Sequence, residues 1–312
     1  MHVAQIGTGR VGRPTAYTIM CAELADTITV CDTKPGLATA FCEELRHVLA
    51  SLELDIEINA CEKDEEVADA DIILISAGKP RIPGVKMSRR DLVIQNAKIV
   101  NQISEIASAR NPNAKYIVIT NPVDVMAMIC KNTLKNSFVI GTGTNIESLR
   151  LRSKLARTLE VPVSKVQGWV GGEHGDAAII LWSTTRINGL SVDEYTKLKS
   201  KFLNKAEIDS YMKSVSKSIV DNIGGTEYGP AASFRDITRA IVRNTNDVVS
   251  IDAPHRFDGI PEPVFVGLPT HLGQSIGYSL YDTLSHEEKK EIAEAAKIIY
   301  QVYQTAIATL EL

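Results

Sequence analysis

Short apolar runs that stop at glycine or proline recur through the first half of the chain. "VAQI" (3–6) ends at "GTGRVG", and "TITVCD" (27–32) ends at Asp32. "ADIILISAG" (70–78), "AKYIVITNP" (114–122) and "SFVIGTG" (137–143) each close on glycine or proline beside small polar residues. Runs of this length, apolar at successive positions, fit strands buried on both faces of a parallel sheet. The segments between them, such as "RPTAYTIMCAEL" (13–24) and residues 88–110, read as helices. The pattern predicts an α/β fold with a doubly wound parallel sheet of the Rossmann type, its strands' carboxyl ends lining a cleft. A ligand is expected at that edge.

After about residue 143 the rhythm changes. "VQGWVGGEHGD" (166–176) and "AAIILWSTTRINGLS" (177–191) are hairpin-like, the second around an Asn-Gly turn. Ser285 and Glu288 form a capping box ahead of a long amphipathic stretch, whose Ile292, Ala295, Ala296, Ile299 and Tyr303 recur on one face and predict a core-packed terminal helix. The reading is therefore a nucleotide-binding domain over 1–142 and an α+β substrate domain over 143–312.

Composition narrows the class. With 44% apolar and 23% charged residues, the 312-residue chain reads as an ordinary globular protein able to bury a large core. No stretch approaches the roughly 18 apolar residues of a membrane span. The sequence enters a strand pattern at once, with no basic segment and cleavage site of a secretory signal, so a cytoplasmic location is the expectation. A net charge of −4 offers no positive field for nucleic acid. Five cysteines (Cys21, Cys31, Cys42, Cys61, Cys130) without metal-ligand spacing are expected to be buried reduced thiols.

"GTGRVG" lies between a strand and a helix, and Asp32 follows Gly12 by twenty residues at the end of the second strand. In that setting Gly7 permits a tight turn, Gly9 lets the backbone approach a pyrophosphate, and Gly12 lets helix and strand pack closely. The helix N-terminus then faces the phosphates. A carboxylate at Asp32 can bond ribose hydroxyls and repels a 2′-phosphate, which favours NAD over NADP; Lys34 nearby works the other way.

Candidate chemistry collects after these strands. "AGKPRIPGVKMSRRDL" (77–92) is polar, irregular and rich in cations, so it reads as an exposed loop over the cleft. Arg81 and Arg89 are plausible two-pronged clamps for a carboxylate, whereas Lys86 and Arg90 read more simply as solvated charge. Asn121 in "TNPVD" can donate to a substrate oxygen. Glu147 and Arg150, three apart, share a helix face, which an intrahelical ion pair explains cheaply. The functional alternative sends Arg150 to a substrate carboxylate and Glu147 to His174. A carboxylate behind the imidazole would fix its tautomer and stabilise the imidazolium, making His174 a general acid/base. Neither it nor the five other histidines show metal-ligand spacing.

In order and spacing, "GTGRVG", Asp32, "SAGKPR", "MSRRDL", "TNPVD", "GTGTNIESLRLR", "GEHGD" and "GGTEYGPAAS" resemble the lactate and malate dehydrogenase family along nearly the whole chain. The resemblance implies hydride transfer between nicotinamide and C2 of a 2-hydroxy acid. His174 would carry the proton with Glu147 behind it, Arg150 would hold the C1 carboxylate, and Arg89 would polarise the carbonyl. Asn121 would orient substrate and Thr226 would line the pocket. It also implies a cofactor bed of Gly7, Gly9, Arg10, Val11, Gly12 and Asp32, continued by Ala77, Gly78, Asn96, Thr120 and Asn121, with no metal. Arg81 stands where lactate enzymes carry glutamine and malate enzymes arginine, so a dicarboxylate substrate is expected, in a homotetramer or dimer. Two departures stand out: the family usually has aspartate at the position of Glu147, and the loop is two residues longer, which sets Lys86 beside Arg81 as a competing cation.

Overall fold

A computed structural model describes residues 1–79, 89–135 and 137–310, with only the backbone of Arg89 and Arg90. The first half alternates as expected: β1 (His2–Ile6), α1 (Gly12–Cys21), β2 (Thr27–Cys31), α2 (Leu37–Leu52), β3 (Glu57–Cys61), β4 (Ile72–Ile75), α3 (Arg89–Arg110), β5 (Lys115–Val118), α4 (Val123–Leu134) and β6 (Val139–Gly141). The second half carries α5 (Asn145–Leu159), then the short strands β7 (Val166–Gln167), β8 (Val170–Gly172), β9 (Ala178–Ile180), β10 (Arg186–Ile187) and β11 (Leu190–Ser191). After them come α6 (Val192–Leu198), α7 (Lys205–Ile223), α8 (Tyr228–Val242), β12 (Asp247–His255), β13 (Val264–Leu272), β14 (Ile276–Ser279) and α9 (His286–Leu310).

β1 to β6 are parallel and ordered β3-β2-β1-β4-β5-β6. Alternation within single strands divides the core. Ile73 and Ile75 pack with Tyr116, Val118, α3, α4 and α9, whereas Ile72 and Leu74 pack with Ile28, Val30, α1, α2 and α8. Each strand thus buries side chains on both faces, as its unbroken apolar run requires. The order turns outward between β1 and β4, and the crevice opens beyond their carboxyl ends.

The two halves share one sheet. β12 pairs antiparallel with β6 through Asp252 and Gly141, and β13, β8 and β9 extend it further. α8 buries Phe234 and Ile237 in the same core as α1, so the second half leans on the first along its length. Local signals behave as the residues dictate. Asn188 and Gly189 both take positive φ in the turn joining β10 and β11. Ser285 accepts from the Glu288 N–H while Glu288 accepts from the Ser285 N–H, which caps α9. All five cysteines are unbridged; four are buried, but Cys21, on the outer side of α1, is exposed. No described helix is long and apolar enough to cross a membrane.

Candidate active site

The glycine turn shapes the first part of the site. A Cβ on Gly12 would fall 2.0 Å from the Gly7 carbonyl oxygen, so the first turn of α1 closes directly onto the end of β1. Gly9 is the opposite case, with nothing within 4 Å of its Cβ position. Its open side faces the same crevice as a cavity of about 350 Å³ lined by Gly7, Gly9, Asp32, Ala77 and Gly78, with Asp64, Ile99 and Gln102 on the far wall. Bare backbone above a helix N-terminus suits a phosphate, so the cradle fits a dinucleotide.

Asp32 sits at the rim just past β2, but its carboxylate is already busy. Oδ2 accepts from the Thr8 N–H at 2.8 Å and the Thr8 hydroxyl at 2.7 Å, and Oδ1 accepts from the Lys34 N–H at 2.9 Å. Burial alone would raise its pKa; these bonds outweigh burial and lower it. With three of roughly four acceptor positions filled, a ribose is left one strong acceptor rather than the pair expected from sequence.

Other expected cofactor contacts serve the scaffold. Asn96 accepts from the Lys79 N–H at 2.7 Å and donates to the Asn121 carbonyl at 2.7 Å, tying the loop after β4 to the loop after β5. Thr120 donates to the Ala77 carbonyl at 2.7 Å. Both side chains are buried and committed to backbone, so they hold loops in place and do not face the cavity. Arg10 leaves the glycine turn to pair with Glu227 at 2.6 Å, beside Thr226 in the segment between α7 and α8. Val11 is the N-cap of α1. Arg81, its competitor Lys86, and the side chain of Arg89 lie outside the described residues.

The second part of the site centres on His174, which follows β8. Glu147, in the first turn of α5, sets Oε2 3.2 Å from His174 Nδ1, while its Oε1 accepts from Arg150 Nη1 at 3.1 Å. The intrahelical pair and the contact with His174 therefore coexist: one carboxylate bridges the guanidinium and the imidazole. Glu147 and Arg150 are nearly buried, with side chains 11% and 13% exposed, and His174 keeps 25% exposure. Burial would lower the imidazole's pKa, but the Glu147 carboxylate and its hydrogen bond, helped by Asp124, push it up to about 9. Burial would raise Glu147, and the facing His174 and Arg150 charges hold it below the usual range instead. Asn121, exposed and joined to Pro122 by a cis peptide, accepts the Asn96 bond on its carbonyl, three residues ahead of Asp124.

Two acids not anticipated from sequence complete the cluster. Asp124, in the first turn of α4, accepts from the His174 N–H through both oxygens at 3.3 and 3.2 Å. Asp252, in the middle of β12, accepts from the Gly143 N–H at 3.2 Å. The available signal was an acid standing alone in "VVSIDAP", a run otherwise suited to a buried strand. Among the described residues no group of histidine, cysteine and carboxylate side chains is arranged to hold a metal ion.

With the geometry in view, the chain was compared with known proteins. The family model described as lactate/malate dehydrogenase, NAD binding domain, matches residues 1–141, and that described as lactate/malate dehydrogenase, alpha/beta C-terminal domain, matches residues 144–309. The chain belongs to the lactate/malate dehydrogenase family. Within this family it is 38% identical to the malate dehydrogenase of Sulfolobus acidocaldarius, over 100% of this chain and 98% of that one. It is 39% identical to the malate dehydrogenase of Sulfurisphaera tokodaii, over 99% and 97%. The fold also matches the crystal structure of the minor L-lactate dehydrogenase of Enterococcus mundtii with a TM-score of 0.91, at 26% identity and covering 97% of this chain and 98% of that one. For a lactate/malate dehydrogenase the site offers an imidazole with the Glu147 carboxylate on one ring nitrogen, no hydrogen-bond partner for the other nitrogen among the described residues, and the Arg150 guanidinium on the carboxylate's own helix.

Proposed function

We propose that the chain is an NAD-dependent malate dehydrogenase that interconverts malate and oxaloacetate, with His174 as general acid/base. The observation that carries this reading is the Glu147 carboxylate bridging His174 Nδ1 and Arg150, in a chain whose glycine turn and Asp32 line a separate crevice. Full-length likeness to two malate dehydrogenases supports malate over lactate.

Bound in the crevice, NAD⁺ supplies the hydride acceptor and NADH the donor. Gly7, Gly9 and Gly12 would present bare backbone to the diphosphate, with Arg10 and Val11 beside it and Ala77 and Gly78 along the opposite edge. Asp32 would bond a ribose hydroxyl. In oxidation, neutral His174 takes the C2 hydroxyl proton on Nε2, and Glu147 stabilises the resulting imidazolium. In reduction the imidazolium returns that proton. Arg150 grips the C1 carboxylate through two parallel N–H bonds, and Asn121 and Thr226 bound the pocket. Arg89 polarises the C2 oxygen, and Arg81 takes the distal carboxylate, which makes a methyl group at that end unfavourable because the guanidinium would be left desolvated and unpaired.

The same reading includes a homo-oligomer, a tetramer or dimer, in the cytoplasm. Support for the oligomer is a cavity of about 630 Å³ between α1, α2 and α8, where the exposed Tyr17, Leu52 and Tyr228 stand among charged residues such as Arg13, Glu44 and Glu227.

The test is steady-state NADH oxidation with oxaloacetate and with pyruvate. Oxaloacetate is expected to be much the faster, and Arg81→Gln to narrow or reverse the preference. Equal rates would overturn the choice of malate over lactate. Binding of NAD without turnover on any 2-oxo diacid would make the chain a silent nucleotide-binding protein.

A further inference from the structure

Asp124 and Asp252 are 1% and 0% exposed, far beyond reach of bulk water. They approach from elements distant in sequence, the first turn of α4 and the middle of β12, and meet beneath two loops of the site. Among the described residues no lysine or arginine is paired with either. Each anchors one loop through a backbone N–H: Asp124 takes that of His174, and Asp252 Oδ2 takes that of Gly143, four residues before Glu147. Asp252 cannot retreat, because Gly141 packs against it so tightly that a Cβ there would fall 2.3 Å from Oδ2. Its other oxygen, Oδ1, is buried with no hydrogen-bond donor among the described residues.

Two facing carboxylates without a cation cannot both stay ionised in such a place, because each charge loses its hydration and repels the other. A carboxylic O–H on Asp124 would supply the one donor that Asp252 lacks. We propose that Asp124 and Asp252 share a single proton and act as one buried anion, positioning residues that fix the His174 loop and the turn leading to Glu147. Burial pushes both carboxyls up, and the neighbouring Asp252 charge adds to the rise at Asp124; a bond from the Asp124 carboxyl pulls the other way at Asp252, which stands at about 7. The charged groups facing the pair are the His174 ring, Glu147 and Glu173. Arg150 joins them at second hand, through Glu147. Of these, His174 gains most, since a single negative charge behind its backbone favours the imidazolium.

The mechanistic consequence rests on the reading of His174 as the proton carrier, but the shared proton does not. Infrared spectra of the full-length protein at pH 7 should contain the carbonyl stretch of a neutral carboxylic acid, lost in both Asp124→Asn and Asp252→Asn. The His174 ring titration, followed by NMR and assigned with His174→Asn, should separate the variants. Asp252→Asn removes the acceptor of the shared proton and leaves the anion on Asp124, nearer His174, so the midpoint rises. Asp124→Asn keeps the anion on Asp252 and moves the midpoint little. The double variant removes the charge and lowers the midpoint, by about one unit or more relative to Asp252→Asn. No neutral-acid band lost in either single variant, or a midpoint that Asp252→Asn lowers in the folded protein, overturns the proposal. If the spectra behave as expected while the activity's pH profile ignores all the variants, the acid/base role of His174 fails and the shared proton stands.

Discussion

Glu147 and His174 meet at 3.2 Å, carboxylate oxygen to Nδ1, although the rest of α5, β7 and β8 lie between them in the chain. The contact holds the imidazole protonated through neutral pH, and with His174 as the proposed proton carrier it should set the pH at which each direction of the reaction runs.

Since the free protein holds the His174 pKa at about 9, the imidazolium persists through neutral pH. Oxaloacetate reduction, which needs that proton, should have a kcat/KM that is flat up to about pH 9 and then declines. Malate oxidation needs the neutral ring and should rise about tenfold per pH unit until the same point. Glu147→Gln removes the first of the attractions that oppose burial, so both breaks should move down by a unit or more. Because the folded pKa is raised, the ion pair's contribution to stability is complete below about pH 6.5, the unfolded value, and is lost as pH rises through 9. Paired pH-rate profiles of wild type and Glu147→Gln check the kinetics; coincident profiles would remove Glu147 from the account.

Glu147→Asp restores the residue usual in the family yet should not be neutral here. A carboxylate one methylene shorter cannot reach both His174 and Arg150 from this helix position without movement of α5. Losing one charge-assisted bond, worth about 1.5–3 kcal/mol, predicts at least a tenfold fall in kcat. Unchanged turnover in both Glu147→Asp and Glu147→Gln would show that the contact does not matter.

Asp32→Ser should act on cofactor choice and on the turn together. It removes the charge that repels a 2′-phosphate and breaks the two bonds to Thr8. The NADH over NADPH preference in kcat/KM should fall by about tenfold or more, and NADH should bind less tightly because the glycine turn loosens. A variant that keeps wild-type preference would put the discrimination elsewhere, with Lys34 the next residue to test.

Gly12→Ala should be costly despite adding a single methyl group. The new carbon meets the Gly7 carbonyl at 2.0 Å, and what it strikes is backbone rather than a pliant side chain. A loss of about 1–3 kcal/mol in denaturant unfolding is expected, with weakened NADH binding. Gly9→Ala, whose carbon enters open space, should retain stability and lose affinity. The contrast between the two is the measurement that matters.

The parts of the molecule legible in the sequence were those written locally. Apolar runs ending at glycine, at proline or at Asp32 located β1, β2, β4, β5 and β6; Asn188-Gly189 gave the β10 to β11 turn; and Ser285 with Glu288 gave the start of α9. What escaped was written across distance. Asp124 and Asp252 are 128 positions apart, and neither one's neighbours indicate that the other will lie beside it. The pairing of β6 with β12 was hidden for the same reason, since an antiparallel neighbour recruited from so far away leaves no periodic trace. Asn96 shows a different limit: its residue type suits a ligand contact as well as it suits a tie between two backbones, and only burial decides.

β6 meets β12 through the single pair of Gly141 with Asp252, but α8 and β12 also sink into the core that α1 and the first strands build, so the two halves are held by shared packing as well as by the sheet. Any narrowing of the crevice around an acid has to come from segments at its lip. The reacting groups would be pre-set before substrate arrives, and a change of preferred acid during evolution would be achieved by exchanging individual side chains at the rim while the interior stayed untouched.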